Sequence, residues 1–547
     1  MRPLDKIASM SLLQQHNCLR VQQLHMDRAV FWDESIDSRV FLIRPTIAVI
    51  RKVCEVIKAD PHRAYSLVFD RRSNLCELEL ERNGVFGLVE SYELNLSLIP
   101  LESDLFSLEL PQSSTKLHNG ETYTMAKCLW QLQSLYGLIP TVYGIGPLSQ
   151  EVEFHLKTIS AELGEPPATA DQPISHVFLF DRHMDIISAL LTGLTYESML
   201  NDVFSYSCGK IIFGDIVENK LKQKMSGRAV SLNNSDAIFS AVRNKHMTEV
   251  FPFLSAKAKT LQTGFDKASG LNKVEEVKDF VTNELKSLKQ THRLLELHIC
   301  ACEVVLDVNK GANERLTLEH GIIQRSADAN DIMNYLEICI CRQQNPWQVL
   351  QLACLWSICE NGLSTKHYNH FRSLFLQAYG YDYLPALYQL SLENLLVEKP
   401  VATLPIRSHS TSPSRYPPFS QSSKALSLIP EQNEKSKFDS NTSTQMSYVF
   451  SEAYTPLVCQ ILANVVNEGW NTAKLQKALG QHIFCTNPTK PDNRIRKAIL
   501  ICFVGGVTFA EIAAIRLFAQ NNNFRIIIIA THIIQREEFL KSFTQII

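Results

Sequence analysis

The densest set of side chains that could do chemistry follows a short apolar run at 177–180. There Asp181, Arg182 and Asp185 stand close together in the chain. Two carboxylates at such spacing suit acid–base catalysis, but an arginine between them would keep both ionised and unable to donate a proton. The pattern favours a structural role, in which Arg182 bridges the two aspartates and locks a strand–helix turn. A polar contact for a partner protein is the second possibility, and catalysis is the third.

A strand–helix turn at Gly505-Gly506 is the place where a phosphate could bind. Thr508 and Glu511 have the spacing of a capping box, which satisfies the free N–H groups at the start of a helix. The same backbone geometry can hold a phosphate. However, the chain contains neither GxxxxGK followed by Ser or Thr nor GxGxxG after a strand. A nucleotide-binding α/β enzyme is therefore kept as the alternative function.

Metal-ligating residues cluster at His298, Cys300, Cys302 and Glu303. On a helix, residues two apart point to different sides, so these side chains cannot surround one ion. The zinc-binding pairs CxxC and HExxH are absent from this stretch, and no GxSxG nucleophile elbow occurs in the chain. We expect no catalytic residue, no metal site and no cofactor.

Short apolar runs predict the strands that must position these side chains. Runs at 40–43 and 66–69 flank a helical pattern at 47–59, which indicates an open α/β sheet. The runs at 177–180, 498–504 and 526–529 predict a second sheet, with a crossover helix at 508–518. The late strands have too few neighbours in sequence to form a sheet alone. We infer that they complete the sheet that begins near Val177, so the middle of the chain is an insertion.

Two helices are expected directly after the strand at 177–180. Asp185 is placed to cap the first, and Thr195 is placed to cap the second. The insertion itself, roughly 231–400, is predicted to be helical. Apolar residues at three-, four- and seven-residue intervals indicate a helix over 272–308, which uninterrupted would be about 55 Å long. It is either an ordinary core helix or a projecting arm with a partner-binding face.

Composition limits the class of protein. A chain of 547 residues is too long for one core, and 54 basic against 56 acidic residues give a net charge of −2, which argues against nucleic-acid binding. The 14 cysteines are scattered among apolar residues, as in a reduced cytoplasmic protein. No apolar run reaches the length of a membrane span, so membrane contact is expected only indirectly. The Ser/Pro-rich stretch 405–445 predicts a flexible loop, in which 426–430 packs locally.

Several motifs in the same order resemble one family. The pattern Phe180-Asp181-Arg182-x-x-Asp185, followed by 194–197 and Asp202, is similar to the hallmark of the SM family, the syntaxin-binding regulators of vesicle fusion. The resemblance extends over nearly the whole chain, in the stretches 99–109, 243–246, 448–457 and 503–512. Further stretches resemble the vacuolar protein sorting 33 branch of the family and favour its B type: 3–8, 284–295, 360–363, 379–380 and 390–396.

The resemblance implies α/β plus all-α architecture, as an arch of three domains with parallel α/β sheets in the first two. The expected boundaries are 1–122 for domain 1, 123–230 with 446–547 for domain 2, and 231–445 for the mostly helical domain 3, inserted into domain 2. Family members usually carry a further helix and strand before the position of Pro3. Domain 1 is therefore expected to be one strand short, as in a truncated product or an incomplete gene model.

The resemblance also implies what the protein does. We expect a non-enzymatic SNARE-binding regulator, cytoplasmic and peripheral to late and recycling endosomes and lysosomes. Its expected partners are syntaxin-like SNAREs, a class-C helical-solenoid subunit and small GTPase effectors. A scaffold that binds only the solenoid subunit is a third possibility. The residues expected to brace the fold and mark the family are Asp181, Arg182, Asp185, Tyr196, Glu197 and Asp202. Those expected to bind a partner are Arg243, His246, Val250, Phe253 and Leu254.

Overall fold

The computed structural model combines α/β sheets with a larger number of helices. The residues that the structure describes are 38–43, 46–69, 74–93, 98–110, 119–168, 173–221, 230–269, 285–399, 418–430, 445–488 and 498–544. The chain divides into two compact units, Met1–Pro100 and Leu101–Ile547.

The first unit contains a small parallel sheet. The elements of this unit are β1 (Ser38–Ile43), α1 (Ile47–Ala59), β2 (Ala64–Phe69), α2 (Asn74–Arg82), β3 (Val89–Glu93) and β4 (Ile99–Pro100). β2 lies between β1 and β3. Thr46 caps α1, whose apolar face is buried against Phe41 and Leu67. The strand–helix–strand order predicted for 40–69 is confirmed.

The second unit contains a mixed sheet and a small antiparallel one. The strands are β5 (Leu105–Ser107), β6 (Thr141–Ile145), β7 (Ile174–Asp181), β8 (Ser205–Ser207), β9 (Lys210–Ile212), β10 (Val230–Ser231), β11 (Ile483–Thr486), β12 (Ala498–Val504) and β13 (Arg525–Ala530). Within this unit the larger sheet has the order β11-β6-β7-β12-β13-β5, and all neighbours are parallel except β11 and β6. β8, β9 and β10 form the smaller sheet.

The pairing of β12 with β7 joins distant parts of the chain. Phe503 lies opposite Phe180, and Val504 lies opposite Asp181. Every residue of β12 is buried, as expected for a central strand covered on both faces. The prediction that the late strands complete the sheet begun near Val177 is therefore confirmed.

Helices make up most of the rest of the second unit. The first six of these are α3 (Asn119–Tyr136), α4 (Pro147–Leu163), α5 (Ile186–Leu190), α6 (Tyr196–Val203), α7 (Gly214–Leu221) and α8 (Ala237–Val242). The middle of the chain adds α9 (Met247–Ser269), α10 (Leu285–Val308), α11 (Ala312–Gln324), α12 (Ala329–Cys341), α13 (Pro346–Glu360), α14 (Thr365–Tyr379), α15 (Leu384–Leu392) and α16 (Phe419–Ala425). The last four are α17 (Leu457–Asn467), α18 (Thr472–Leu479), α19 (Phe509–Asn522) and α20 (Arg536–Thr544).

Clusters of buried apolar side chains hold the described part of this unit together, and two of them surround the residues discussed below. The larger, which we call the sheet core, contains Phe178, Ile501 and Leu336 among many others and joins the sheet to α11–α20. The smaller, which we call the arm core, is built by α6–α10 and the small sheet, and contains Tyr196 and Val250.

Two sequence predictions concern segments that lie partly outside the described residues. The first part of the helix predicted over 272–308 lies outside them, and α10 covers the rest from Leu285. Most of the Ser/Pro-rich stretch also lies outside them. Between its two parts, α16 leads to Leu426 and Leu428, which are buried in the sheet core, so the predicted local packing is confirmed. The three-domain arch remains a prediction.

Candidate functional site

Arg182, at the end of β7, pairs with a residue that the sequence analysis did not connect to it. Its Nη1 donates to both carboxylate oxygens of Glu511, at 2.9 and 2.7 Å, and both side chains are buried. The predicted bridge holds for one aspartate. Arg182 Nη2 lies 3.8 Å from Asp185 Oδ2 and donates to the Asp185 carbonyl oxygen. The predicted contact with Asp181 is wrong, because Asp181 bonds to His183 instead. The reason is that β12 brings the start of α19 beside β7, which supplies a carboxylate from a distant part of the chain.

Asp185 accepts hydrogen bonds from two separate segments of the chain. As predicted, it caps α5, where Oδ1 accepts from Ser188 N at 3.1 Å. Its oxygens also accept from Ser188 Oγ at 2.7 Å, Tyr454 OH at 3.0 Å and Leu457 N at 3.0 Å. Asp185 therefore joins the first helix after β7 to the segment 454–457, at the start of α17.

Asp181 forms a third part of this network with His183. Asp181 accepts from His183 N and Nδ1 at 2.9 and 2.8 Å, and from Leu148 N at 3.0 Å. Burial alone would raise the pKa of Asp181, but the His183 charge and these hydrogen bonds outweigh it and lower the pKa. A carboxylate held ionised in this way cannot serve as a general acid. The network fits a brace and not an active site.

The Gly505-Gly506 turn carries no site that favours an anion. The capping box is confirmed: Thr508 Oγ1 accepts from Glu511 N at 3.2 Å, and Glu511 Oε2 accepts from Thr508 N at 3.0 Å. A buried carboxylate thus occupies the helix N-terminus, where a phosphate would have to bind. Gly506 is required because its φ is +91° and a Cβ there would lie 2.6 Å from His532 Nε2.

Glu197 and Arg243 form a second buried ion pair. Arg243 donates from Nε and Nη2 to the two Glu197 oxygens at 2.8 Å each, and from Nη1 to Glu102 Oε1 at 2.6 Å. A cavity of about 20 Å³ lies beside them, lined also by Tyr206 and Phe509. This volume suits about one water molecule and is far too small for a nucleotide.

Tyr196 belongs to a chain of polar groups that the sequence analysis missed. Its hydroxyl lies 2.9 Å from His298 Nδ1, and His298 Nε2 lies 3.0 Å from Asp236 Oδ2. Such a Tyr–His–Asp chain could transfer protons, but the Tyr196 and His298 side chains are completely buried, so no substrate reaches them. It ties α6, α8 and α10 together inside the arm core. No spacing motif in the sequence reveals it, because the three residues come from separate helices.

Asp202 pairs with Arg536 on the last helix. Arg536 Nη2 lies 2.6 Å from Asp202 Oδ2, and Arg536 also donates to Thr192. Thr192 in turn bonds to Glu319 on α11, at 3.0 Å between the hydroxyl and the carboxylate. Burial raises the pKa of Asp202 despite the arginine beside it. Thr195 occupies the predicted N-cap position of α6, but its hydroxyl accepts no hydrogen bond from that helix.

Most residues predicted to bind a partner are buried in the free chain. Val250 and Leu254 have no exposed surface, and Arg243 and His246 are almost as buried. Phe253 is partly buried, with the Lys245 and Lys257 ammonium groups about 6 Å from its ring. Their partner role remains a prediction. The aromatic side chain that this part of α9 exposes is Phe251, 49% accessible, which the sequence analysis did not select.

An exposed apolar stripe runs along α15. Tyr381, Leu384, Tyr388 and Leu392 are 71, 38, 62 and 48% accessible. Leu384, Tyr388 and Leu392 recur at four-residue intervals, which places them on one side of α15. Tyr381 lies in the short 3-10 helix Tyr381–Tyr383 directly before α15. Exposed apolar side chains grouped in this way indicate a candidate protein-binding site. We call these four residues the α15 stripe.

The described residues contain no group of three or more His, Cys, Asp or Glu side chains arranged to hold a metal ion. They also contain no helix with the length and apolar character needed to cross a membrane.

Similarity to known proteins identifies the family of this chain. The family model described as "Sec1 family" matches residues 1–542. The chain belongs to the Sec1 family. Vacuolar protein sorting-associated protein 33B is 32% identical in both Caenorhabditis elegans and Homo sapiens, with 99 and 100% of this chain and 91 and 92% of those proteins covered. The 33A protein of Rattus norvegicus is 27% identical, with 95% of this chain and 88% of that protein covered.

Solved structures of the Sec1 family share the fold. The SM protein Vps45 in complex with the Qa SNARE Tlg2 has a TM-score of 0.63 at 15% identity, with 98% of this chain and 91% of that chain covered. The Unc18–syntaxin 1 complex from Monosiga brevicollis has a TM-score of 0.57 at 16% identity, with 93 and 87% covered. The resemblance to the SM family and to the B type of its vacuolar branch is confirmed.

Proposed function

We propose that this chain is a SNARE-binding regulator of vesicle docking and membrane fusion in vacuolar and endosomal sorting. The observation that carries the proposal is its 32% identity to vacuolar protein sorting-associated protein 33B over almost the entire length of both chains. The role is one of binding, since the signature residues Asp181, Arg182 and Asp185 are committed to internal contacts. We place the protein in the cytoplasm, peripheral to late and recycling endosomes and lysosomes.

The α9–α10 pair is the proposed surface for SNARE helices. SNAREs bind as amphipathic helices, which need an apolar anchor flanked by charge and no catalytic group. Phe251, exposed near the start of α9, supplies the anchor, while Lys257 and Lys259 supply exposed positive charge one to two turns further along. In this proposal the buried Val250 and Leu254 hold α9 in place, and the three-domain arch presents it.

The α15 stripe is the proposed surface for the helical-solenoid subunit of a class-C tethering complex. Its side chains are apolar and aromatic, which are the residue types enriched at the centres of protein interfaces. α15 packs on α20. A rigid, apolar helix face fits the helix pairs of a solenoid better than it fits a small ligand. Binding of small GTPase effectors is a further expectation.

Capture of purified partners by the purified full chain tests the function. The chain should retain endosomal SNARE helices, and Phe251→Asp should weaken that retention at least tenfold, because a buried aromatic anchor typically contributes 2 kcal/mol or more. Phe154→Asp is the matched control, since Phe154 is 66% accessible on α4, away from both proposed surfaces. Folded wild-type chain that retains neither SNARE helices nor a solenoid subunit would refute the proposal.

A further inference from the structure

The sheet core and the arm core meet at a boundary that contains many polar groups. At this boundary, Val449 and Phe450 belong to the sheet core, and Tyr196 and Met247 belong to the arm core. Tyr206 packs against both clusters and bonds through its hydroxyl to Glu197 at 2.9 Å. Polar contacts therefore help to orient the arm core on the sheet core, together with the stacked rings of Tyr206 and Phe509.

The chain enters and leaves the insertion at this boundary. Tyr448 OH donates to Asn244 O at 2.8 Å, and His246 Nε2 lies 3.0 Å from Ser451 Oγ. Nδ1 of the same ring lies 2.8 Å from Thr248 Oγ1 and 3.4 Å from Thr248 N. Burial lowers the pKa of His246, which keeps the ring neutral at pH 7. The residue just before α9 is thus bonded to the returning segment.

Charged groups extend the same layer. Arg243, which stacks on Phe239 of the arm core, bonds to Glu102, in the turn before β5. Arg516 on α19 bonds to Asp104 in that turn at 2.8 and 2.9 Å, and to Asn244 Oδ1 at 3.3 Å. The Arg243–Glu102 and Arg516–Asn244 contacts each join a group on the arm-core side to one on the sheet-core side, whereas the Arg516–Asp104 pair lies on the sheet-core side.

We propose that this polar layer is a hinge, closed by the His246–Ser451 hydrogen bond, that sets the direction in which α9 and α10 leave the sheet. Buried polar contacts are directional and are either made or broken, whereas each apolar core can stay intact while the layer rearranges. Polar boundaries between cores are also where relative motion is expected. The hinge gives the α9 surface two orientations toward a partner helix. That consequence rests on the proposed function, but the hinge itself does not.

Hydrogen exchange on the free, full-length chain tests the hinge. Ser451→Ala removes one side of the closing contact, and amides at the start of α9 and in α10 should exchange about three- to tenfold faster, which corresponds to the loss of one hydrogen bond. Ser447→Ala is the matched control, because Ser447 lies four residues earlier in the same segment and its buried hydroxyl has no hydrogen-bond partner among the described residues. His246→Gln, which leaves the positive φ of Ser451 untouched, should reproduce the effect.

The pattern of exchange decides the outcome. Faster exchange confined to α9 and α10, with β7 and β12 unchanged, supports the hinge. Equal exchange in Ser451→Ala and Ser447→Ala overturns it, and so does uniform acceleration through β7 and β12, which would mean global destabilisation. Because no SNARE is present in this experiment, its result is separate from that of the capture experiment.

Discussion

Arg182 and Glu511 are 329 residues apart in the chain, yet they form a two-point hydrogen-bonded ion pair in the interior of the second unit. Arg182 also donates to the carbonyl oxygen of Asp185. The pair therefore connects the end of β7 to the start of α19 and to the cap of α5. This arrangement makes the family signature a structural brace.

Removing the arginine should destabilise the second unit strongly. Arg182→Met leaves Glu511 as a buried charge without its counter-ion, and we expect a loss of about 3–5 kcal/mol in the free energy of unfolding. Urea denaturation followed by tryptophan fluorescence measures it. Lys399→Met is the control, because the Lys399–Glu360 pair is exposed and should contribute less than about 1 kcal/mol. Equal losses in the two variants would contradict the brace.

Replacing Asp185 should reduce stability and yield more than removing any one of its partners. Asp185→Ala leaves the Tyr454 hydroxyl, Leu457 N and Ser188 N without their acceptor, whereas Tyr454→Phe removes a single hydrogen bond. We expect a lower denaturation midpoint for both, with the larger drop in Asp185→Ala. If Asp185→Ala folds normally and loses only SNARE capture, Asp185 is a contact residue and the brace interpretation fails.

Substitutions at Gly506 and Gly311 distinguish the free-energy cost of backbone strain from that of side-chain crowding. Gly506 and Gly311 have almost the same φ, +91 and +90°, but a Cβ at Gly506 would lie 2.6 Å from His532 Nε2, while one at Gly311 meets nothing within 4 Å. Gly311→Ala should cost about 1–2 kcal/mol from the left-handed backbone alone. Gly506→Ala should cost about 1–3 kcal/mol more because the core must shift. Thermal denaturation of both variants checks this difference, and equal costs would exclude crowding.

Disrupting the α15 stripe should abolish solenoid capture without unfolding the chain. Tyr388→Asp places a charge in the middle of the proposed interface, and since Tyr388 is 62% accessible the fold should tolerate it. We expect at least a hundredfold weaker retention of the solenoid subunit and unchanged retention of SNARE helices. Phe154→Asp again serves as the control. Undiminished solenoid binding by Tyr388→Asp would show that this surface lies elsewhere.

The Asp181–His183 pair predicts a pH-dependent contribution to stability. Burial alone would lower the pKa of His183, but the Asp181 carboxylate outweighs it and raises the pKa above its usual value of about 6.5. The stabilisation is therefore complete below about pH 6.5, and it is lost as the pH rises through the raised value. His183→Gln should consequently destabilise the protein more at pH 6 than at pH 9. Denaturation curves at both pH values measure this, and an effect independent of pH would contradict it.

The sequence predicted those features that depend on local pattern. Buried strands such as β12, the Asp185 cap and the Thr508–Glu511 box each follow from residues a few positions apart. The family resemblance follows from motif order. Contacts between distant segments could not be predicted in this way, because no local rule selects Glu511 as the partner of Arg182 or His298 as the partner of Tyr196.

Surface residues were the least predictable part of the candidate site. Val250 and Leu254 have the apolar character of an interface, but the same character suits the arm core, where they are buried. Periodicity shows that a helix has an apolar face, without showing which neighbour covers that face. Phe251 and the α15 stripe are recognised only when exposure is measured in the folded chain.

The position of β12 between β7 and β13 has a consequence for biosynthesis. A ribosome adds about 5–20 residues per second, so β7 emerges roughly 15–60 s before its central neighbour is made. During that time one edge of β7 has no native strand to pair with, and unpaired edges invite aggregation. Contacts this distant in sequence also slow folding, because loop closure must come first. We therefore expect the nascent chain to depend on chaperones until β12 and β13 have been translated.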